Sequence, residues 1–301
     1  MTSARIGAIE VVRVEEMLTP GFDPAFLFPD WDPAILDRHP QLREPTFRDP
    51  DSGRLMSSMQ SWLVRAGDDV IIVDTGCGNG KTRSAPAFRR FHDLATPYLD
   101  RLAAAGVRPE DVTLVVNTHL HVDHVGWNTQ RVGDRWVPTF PNARYVWGQV
   151  ETDHWLDPAG GLAVQPEAAE VIEDSVRPVL DAGLVDFVSD GDLLRPGLVF
   201  RAAPGHTVGQ LQLWIESDGE AGVFTADCLH QPIQVYEPGW NSRFCELPEA
   251  AVATRAALLE AAAATEAVIF PSHFGAPHAG RIGRRPGGYT FLPLPSAGRP
   301  S

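Results

Sequence analysis

Apolar positions along the chain fall into short runs that set the element pattern. Residues 8–14 and 58–66 (SMQSWLVRA) are rich in β-branched and aromatic side chains and read as strands. A third strand enters a Gly-rich turn in VIIVDTGCGNG, residues 70–80, and TLVVNTHL, 113–120, reads as a buried strand. Further strands are expected at 144–147, 184–189, 198–202, 210–216, 221–226 and 267–271. Helices are expected over about 87–105, with Gly106 as the stop, near 167–181, and over 248–264. The last contains AAVATRAALLEAAAA, dominated by the strongest helix former. Strands alternating with helices in two sets suit a sheet-rich α/β fold with helices on the outer faces.

Two stretches break the pattern. Leu18–Arg54 is crowded with Pro, Asp and aromatics, including Phe22, Phe26, Phe28, Trp31 and Phe47. A connection this long without periodicity is expected to be a functional loop or lid, or an ordered cover over core. Residues 281–301 form a Gly/Pro-rich tail, expected to be extended on the surface. No internal repeat is visible, and the expected organisation is a single domain over 1–301.

Composition narrows the function. Of 301 residues, 44% are hydrophobic and 21% charged, enough for a sizeable core rather than disorder. A net charge of −14 weighs against nucleic acid as a partner, because binding a phosphate backbone relies on cationic neutralisation. Cys77, Cys228 and Cys245 are odd in number and widely spaced, so a disulfide framework is not expected. Cys77 and Cys228 read as small buried residues. The start, MTSARIGAIEVVRVEE, carries charges and no long apolar run; neither a signal peptide nor a membrane anchor is expected, and the chain reads as cytoplasmic. The turn after Asp74 lacks both the GxGxxG spacing and a closing Lys-Ser/Thr pair, which discards nucleotide binding.

The chemistry lies in Asn117-Thr-His-Leu-His-Val-Asp-His-Val-Gly-Trp127, which contains HxHxDH. His119 and His121 alternate along an extended segment, so both imidazoles reach one cation. Asp123 and His124 follow where the chain bends and reach a second. Gly126 permits close backbone approach. PGHTVGQ adds His206, FTAD adds Asp227 and IFPSHFG adds His273, each after an apolar strand. Neutral imidazole and carboxylate are good ligands for zinc and its borderline neighbours, and sites in α/β folds gather at the carboxyl ends of strands.

These motifs, in this order from Ser58 to Gly275, resemble the metallo-β-lactamase-fold hydrolase superfamily. The resemblance implies a four-layer αββα sandwich and two divalent metal ions, Zn2+ first, with Mn, Fe or Co as alternatives. It implies that His119, His121 and His206 hold one ion, that Asp123, His124 and His273 hold the other, and that Asp227 bridges them. Asp74 resembles the carboxylate that orients a ligand without binding metal. The implied activity is that of a hydrolase using a metal-bridging hydroxide to open a small-molecule lactone, ester or related carbonyl compound. Asp123 would also accept or relay a proton.

Within the superfamily, Asp227 argues against the class B β-lactamases, which generally lack the bridging Asp. His121 argues against flavodiiron proteins, which carry Glu in the first motif. The tail does not fit the helical C-terminal portion of glyoxalase II-like thioesterases, and nuclease branches carry an inserted domain and basic surfaces. The compact branches remain, resembling quorum-signal lactonases and methyl-parathion hydrolase-type enzymes. Acyl-homoserine lactonases typically carry Tyr three residues after the bridging Asp; here that position is His230, read as a substrate-facing acid or base. Phosphotriester hydrolysis is the alternative within hydrolases, and a mononuclear-iron persulfide dioxygenase is the alternative from another class. Trp127, Trp240, Phe244 and Phe274 are candidate pocket walls, though each taken singly suits plain core better. His39, His92, His154 and His278 read as structural. A small-molecule substrate is expected, with no nucleic acid and no membrane, and a homo-oligomer is left open.

Overall fold

The computed structural model describes residues 2–295. In chain order the strands are β1 (Ser3–Ile6), β2 (Ile9–Pro20), β3 (Met56–Ala66), β4 (Asp69–Val73), β5 (Leu114–Asn117), β6 (Thr129–Val132), β7 (Arg135–Pro138), β8 (Arg144–Gly148) and β9 (Val185–Val188). There follow β10 (Leu193–Arg195), β11 (Leu198–Ala202), β12 (Leu211–Ser217), β13 (Glu220–Phe224), β14 (Val268–Phe270), β15 (Gly280–Arg285) and β16 (Gly288–Pro293). They make one seven-stranded sheet ordered β1-β2-β3-β4-β5-β8-β9, a second running β10 to β16, and a small hairpin β6-β7.

The two-residue strand period decides the layers. Trp62 and Val64 of β3, Ile71 and Val73 of β4, and Leu114 and Val116 of β5 meet Phe200, Leu213, Ile215, Phe224 and Phe270 of the second sheet. The intervening Leu63, Ile72 and Val115 turn outward to Tyr98, Leu102, Val171, Ile172 and Val179 of the helical segments. On the other side, Trp214, Val223 and Ile269 pack against Leu258, Leu259 and Ala262 of the helix Pro248–Ala264. Helices therefore cover both outer faces of two stacked sheets, the αββα arrangement. Each fully buried side chain of this size contributes about 1.5–3 kcal/mol.

Several elements differ from the sequence pattern. The helix expected over 87–105 is split into a 3-10 turn, Pro86–Phe91, and a helix, Tyr98–Ala104. Pro97 steers Thr96 away from helical dihedrals and offers no N–H of its own, so one continuous helix cannot form. The helix Gln149–Leu156 escapes an apolar pattern because its buried positions are Glu151, Thr152 and Trp155. The 18–54 stretch starts as strand, since β2 runs to Pro20. It then becomes an ordered cover of short turns, with Leu27, Phe28, Ile35, Leu42 and Phe47 packed into the outer core of the second sheet. The tail, expected as an extended surface segment, instead pairs β15 with β16 and buries Ile282 and Phe291; residues 296–301 lie outside the described residues. Cys77 and Cys228 are free and buried as expected. No helix among the described residues is long and apolar enough to cross a membrane.

The helical stretch expected at 167–181 is present but carries one π turn, Ile172–Val176, just before Pro178. Pro178 has no N–H to give the carbonyl of Asp174 four residues back. That carbonyl accepts instead from Lys81 Nζ at 3.3 Å and from Thr129 Oγ1. The Asp174 carboxylate takes a two-pronged bond from Arg83, at 2.6 and 3.1 Å. Lys81, the chain's single lysine, is fully buried here with Trp136 beneath it. The cluster fastens the chain after the Gly-rich turn to the helical layer.

This cluster sets a pH dependence. Burial pulls the Lys81 ammonium down to about 8, Asp174 offsetting only part of the effect, whereas the unfolded chain holds that proton to near 10.5. Between those values the unfolded state binds more protons, so stability rises with pH. Urea unfolding of the metal-free wild type against Lys81→Met should show the wild type gaining on the variant by about 2 kcal/mol from pH 8 to pH 10. A difference that stays flat over that range would refute the buried-cation account.

Candidate metal centre

Strands β4, β5 and β8 run parallel, and β11, β13 and β14 share one direction within the second sheet. The segments that follow β4, β5, β11, β13 and β14 carry Asp74, the 119–124 motif, His206, Asp227 and His273. The seven side chains expected to ligate metal converge. Ligand atoms of His119, His121 and His206 lie within 4.8 Å of one another, as do those of Asp123, His124 and His273, and those of His119, His124 and Asp227.

Asp227 stands between the two trios. Its Oδ1 is 3.4 Å from His124 Nε2 and 3.1 Å from His273 Nε2. Its Oδ2 is 3.3 Å from His206 Nε2, 4.0 Å from His119 Nε2 and 3.2 Å from His273 Nε2. His206 Nε2 also faces His121 Nδ1 at 2.9 Å.

Partners behind the rings fix which nitrogen is free. Asp74 Oδ2 accepts from His124 Nδ1 at 2.9 Å, and the Ser58 carbonyl accepts from His273 Nδ1 at 3.0 Å. Asp74 also accepts the Thr118 hydroxyl, which leaves Thr118 Oγ1 to accept from His119 Nδ1 at 3.1 Å. Each bond places a proton on Nδ1 and turns Nε2 inward. His119 Nε2, His124 Nε2 and Asp227 Oδ1 are buried with no hydrogen-bond partner among the described residues. Buried polar atoms are normally satisfied; unpartnered nitrogen and oxygen atoms aimed at common points are what divalent cations require. The residues fit the group.

The charge balance differs between the two trios. Burial, reinforced by neighbouring imidazoles, holds His119 and His206 well below the ordinary histidine range, and His121 falls to about 4 with burial as the chief cause. That trio is neutral and able to ligate. Burial opposes ionisation of Asp227, but His273, His124, His230 and His206 outweigh it and hold its carboxyl well below the usual range. Burial likewise works against protonated His124 and His273, yet Asp227 and its fellow carboxylates raise both.

The supports include two residues the sequence reading missed. Glu151 is fully buried; Oε1 accepts from the Leu120 N–H and Trp155 Nε1 at 3.0 and 2.8 Å. Its Oε2 accepts from Thr207 Oγ1 and the Gly209 N–H at 2.7 and 3.0 Å, so one carboxylate joins the two segments carrying His119, His121 and His206. Gly209 is required there, because a Cβ would come within 2.1 Å of Glu151 N. Glu16 does the same for the turn after Asp74, accepting from Cys77 N, Gly78 N and Trp127 Nε1. Gly126 allows the expected close approach: a Cβ there would lie 1.9 Å from the Cys77 carbonyl carbon. Nothing in the local sequence marks Glu151, in Gln149-Val150-Glu151-Thr152-Asp153, or Glu16, which follows Glu15; both read as surface.

A cavity of about 260 Å3 opens over the centre, walled by Phe22, Leu27, Met59, Phe88, Phe91 and Phe244, with Asp123, His230, Arg243 and Glu246 also facing it. Of the candidate wall aromatics only Phe244 serves. Trp127 stacks on Tyr98 and Phe274 packs on Phe291 in core, and the partly buried Trp240 packs on Trp31. From the 18–54 cover, Phe22 and Leu27 reach the cavity. His230 Nε2 lies 3.3 Å from Asp227 Oδ2, and His206, Asp227 and His230 form a further group close enough to share an ion. His92 and His278 bond to backbone and His39 lies on Tyr236, as expected of structural histidines. His154, read the same way, instead pairs with cavity residue Glu246.

The family described as metallo-beta-lactamase superfamily matches residues 59–273. Among curated proteins the chain is 38% identical over 87 residues to metallo-beta-lactamase domain-containing protein 1 of Homo sapiens, covering 29% of this chain and 27% of that protein. It is 39% identical over 80 residues to ribonuclease Z of Mycobacterium avium (strain 104), covering 27% and 22%. The matched stretch thus spans about a quarter of these relatives. Among solved structures, hydrolase AbOPH of the beta lactamase superfamily superposes with a TM-score of 0.81 at 24% identity, covering 98% of each chain. AidC, a dizinc quorum-quenching lactonase in complex with its product N-hexanoyl-L-homoserine, gives 0.78 at 23% identity, again over 98% of each chain. Both likenesses concern the fold.

Glu151 supplies the test of this geometry. Glu151→Gln turns one acceptor oxygen into a donor facing other donors, so the two segments lose their common anchor. Zinc affinity, measured by chelator competition, should fall about 10- to 100-fold, the usual cost of disturbing groups behind metal ligands. Unchanged affinity in a folded variant would remove Glu151 from the centre.

Proposed function

The chain belongs to the metallo-beta-lactamase superfamily of metal-dependent hydrolases, and from that premise we propose that it is a dinuclear zinc hydrolase that opens small-molecule lactones or esters. The observation that supports this most directly is Asp227, whose two oxygens lie between the two ligand trios. In this reading His119, His121 and His206 would hold one ion and Asp123, His124 and His273 the other, with Asp227 shared between them. Bound there, the ions would polarise the scissile carbonyl and lower the pKa of the attacking water toward neutrality.

The chain's own residues do the rest. Asp123 faces the cavity, its oxygens 3.8 Å from His124 Nε2 and 3.7 Å from His273 Nε2, placed to take the proton of the attacking water. His230 faces the same cavity and, protonated at Nε2, would give that proton to the leaving oxygen. Ser242 Oγ, 3.4 Å from the same nitrogen, and Asp227 Oδ2 orient the ring. Phe22, Leu27, Met59, Phe88 and Phe91 bind the apolar part of the substrate and exclude water. An apolar cavity of about 260 Å3 in a chain of net charge −14 supports a small substrate over a nucleic acid.

Elemental analysis of protein purified without chelator should give two zinc ions per chain, and their removal should abolish hydrolysis across a panel of lactones, aryl esters, thioesters and phosphotriesters. Asp227→Ala should lower the stoichiometry while the fold persists. Full activity of metal-depleted protein, or two tight ions in that variant, would refute the dinuclear reading.

His230→Ala should lower kcat by about 10²- to 10⁴-fold, the range for a general acid, and more for alkyl lactones than for activated aryl esters, whose leaving groups need little protonation. Zinc content should stay at two. Because His230 also sits within ligand reach of His206 and Asp227, a fall in zinc content would instead make it a ligand, and an unchanged rate would make it a bystander.

A further inference from the structure

A second cavity, of about 470 Å3, shares no residue with the one over the metal centre. It lies where the edge of the first sheet meets the second: β1 borders it on one side, and Val268 of β14, Arg281 of β15 and the turn at Ala276 and Pro277 on the other. Arginines supply all the charge on its walls, and no carboxylate lines it. The strand period decides which of them face it. Arg13 alternates with Val11 along β2, and Arg281 stands opposite Val268 in the β14–β15 register; both valines belong to the core between the sheets. Arg13 and Arg281 therefore project from facing sheets into the gap between them. Arg5 stands opposite Glu10 and alternates with the inward Ala4 and Ile6, so it points out of the gap.

Arg13 is built into this wall, with only 8% of its surface exposed. Its Nε donates to Gln60 Oε1, and its Nη2 donates to Ser58 Oγ at 2.8 Å and Glu15 Oε2 at 2.9 Å. These bonds fix the guanidinium and leave Nη1 without a partner among the described residues. Glu15 is shared with Arg101 at 3.4 Å, so it does not cancel the charge of Arg13 alone. Arg281 meets no carboxylate in the cavity. In a chain of net charge −14, two cations turned into one cleft without an anion call for one from outside.

We infer that this cleft binds a small organic phosphate. A guanidinium fork matches phosphoryl oxygens in geometry as well as charge. Two forks on opposite walls need an acceptor that presents oxygens in several directions, which a tetrahedral phosphoryl group does and a single planar carboxylate does not. The organic part has its own wall in Val268, Pro277 and Leu294. The volume is more than inorganic phosphate alone would fill and falls within the range of small-molecule sites, about 300–1,000 Å3.

The site stands apart from the proposed hydrolysis, because neither the metal ions nor their cavity take part. Phenyl phosphate binding to the zinc-loaded protein, followed by calorimetry at low ionic strength where charge attraction is least screened, tests it. One equivalent should bind the wild type about 10- to 100-fold more tightly than Arg281→Gln, the range for hydrogen bonds between charged groups. Arg281→Lys, which restores the charge without the fork, should fall between the two. Inorganic phosphate and benzoate should each bind the wild type about 10-fold or more weakly than phenyl phosphate, one lacking the apolar part and the other the phosphoryl group. An ester bound at the zinc ions does not respond to Arg281, so equal isotherms for wild type and Arg281→Gln would overturn the inference. Benzoate matching phenyl phosphate would make the cleft a carboxylate site, and inorganic phosphate matching it would leave the organic part without a role; either result overturns it as stated. If Arg281→Gln lowers the unfolding midpoint and Arg281→Lys recovers no affinity, Arg281 is structural and the inference fails.

Discussion

A single carboxylate, Asp227, is surrounded on every side by imidazoles, and much of the architecture exists to make that arrangement tolerable. A buried carboxylate is costly unless paired and hydrogen-bonded. Here the pairing comes from His124, His206 and His273 together, with His230 beside them. No local stretch of chain could assemble these groups, because they come from four separate segments. Two sheets whose strand ends share an edge bring them together, so the αββα layering is the precondition of the site. The backbone bears part of the cost. Ala226, just before Asp227, and Asp74 take positive φ values of 49° and 54°, a conformation worth about 1–2 kcal/mol of strain for a residue with a side chain.

Much of this was legible in the sequence, for an identifiable reason. Ligand types placed directly after apolar strands are local facts, and the strands that deliver them were marked by β-branched runs whose period of two also set the layers. The seven side chains that converge, and Asp74, needed only the order of motifs. The supports needed the fold. Glu151 and Glu16 act through backbone N–H groups of segments distant in sequence, and no local pattern separates a buried acceptor from a solvated one. Helix Gln149–Leu156 was hidden for the same reason, since its inward positions include the polar groups that hold the loops. Trp127 misled in the opposite direction: its place after the ligand motif suggested a pocket wall, but its Nε1 is spent on Glu16. The break at Pro97 and the hairpin after Gly280 were lost because proline and glycine punctuate both loops and strand ends.

The supports use one device three times. Glu16, Glu151 and Asp174 are acidic residues buried where loops must be held together. An amide would accept fewer of the N–H and O–H groups that converge on each, and would add donors of its own. Burial raises the pKa of Glu16 and of Glu151, and the backbone and side-chain donors pull it back. The device thus makes loop order depend on ionisation, which couples the shape of the site to its charge. In the proposed holo state the coupling acts in a favourable direction. Two divalent ions would bring four positive charges to the centre formed around Asp123, Asp227 and Asp74, so loading would make it less negative even with a bound hydroxide. That change would favour ionised Glu151 behind the His119–His121 segment and Glu16 behind the Asp74 turn. Metal binding and loop order then reinforce each other, and the anchors are firmest when the site they position is loaded.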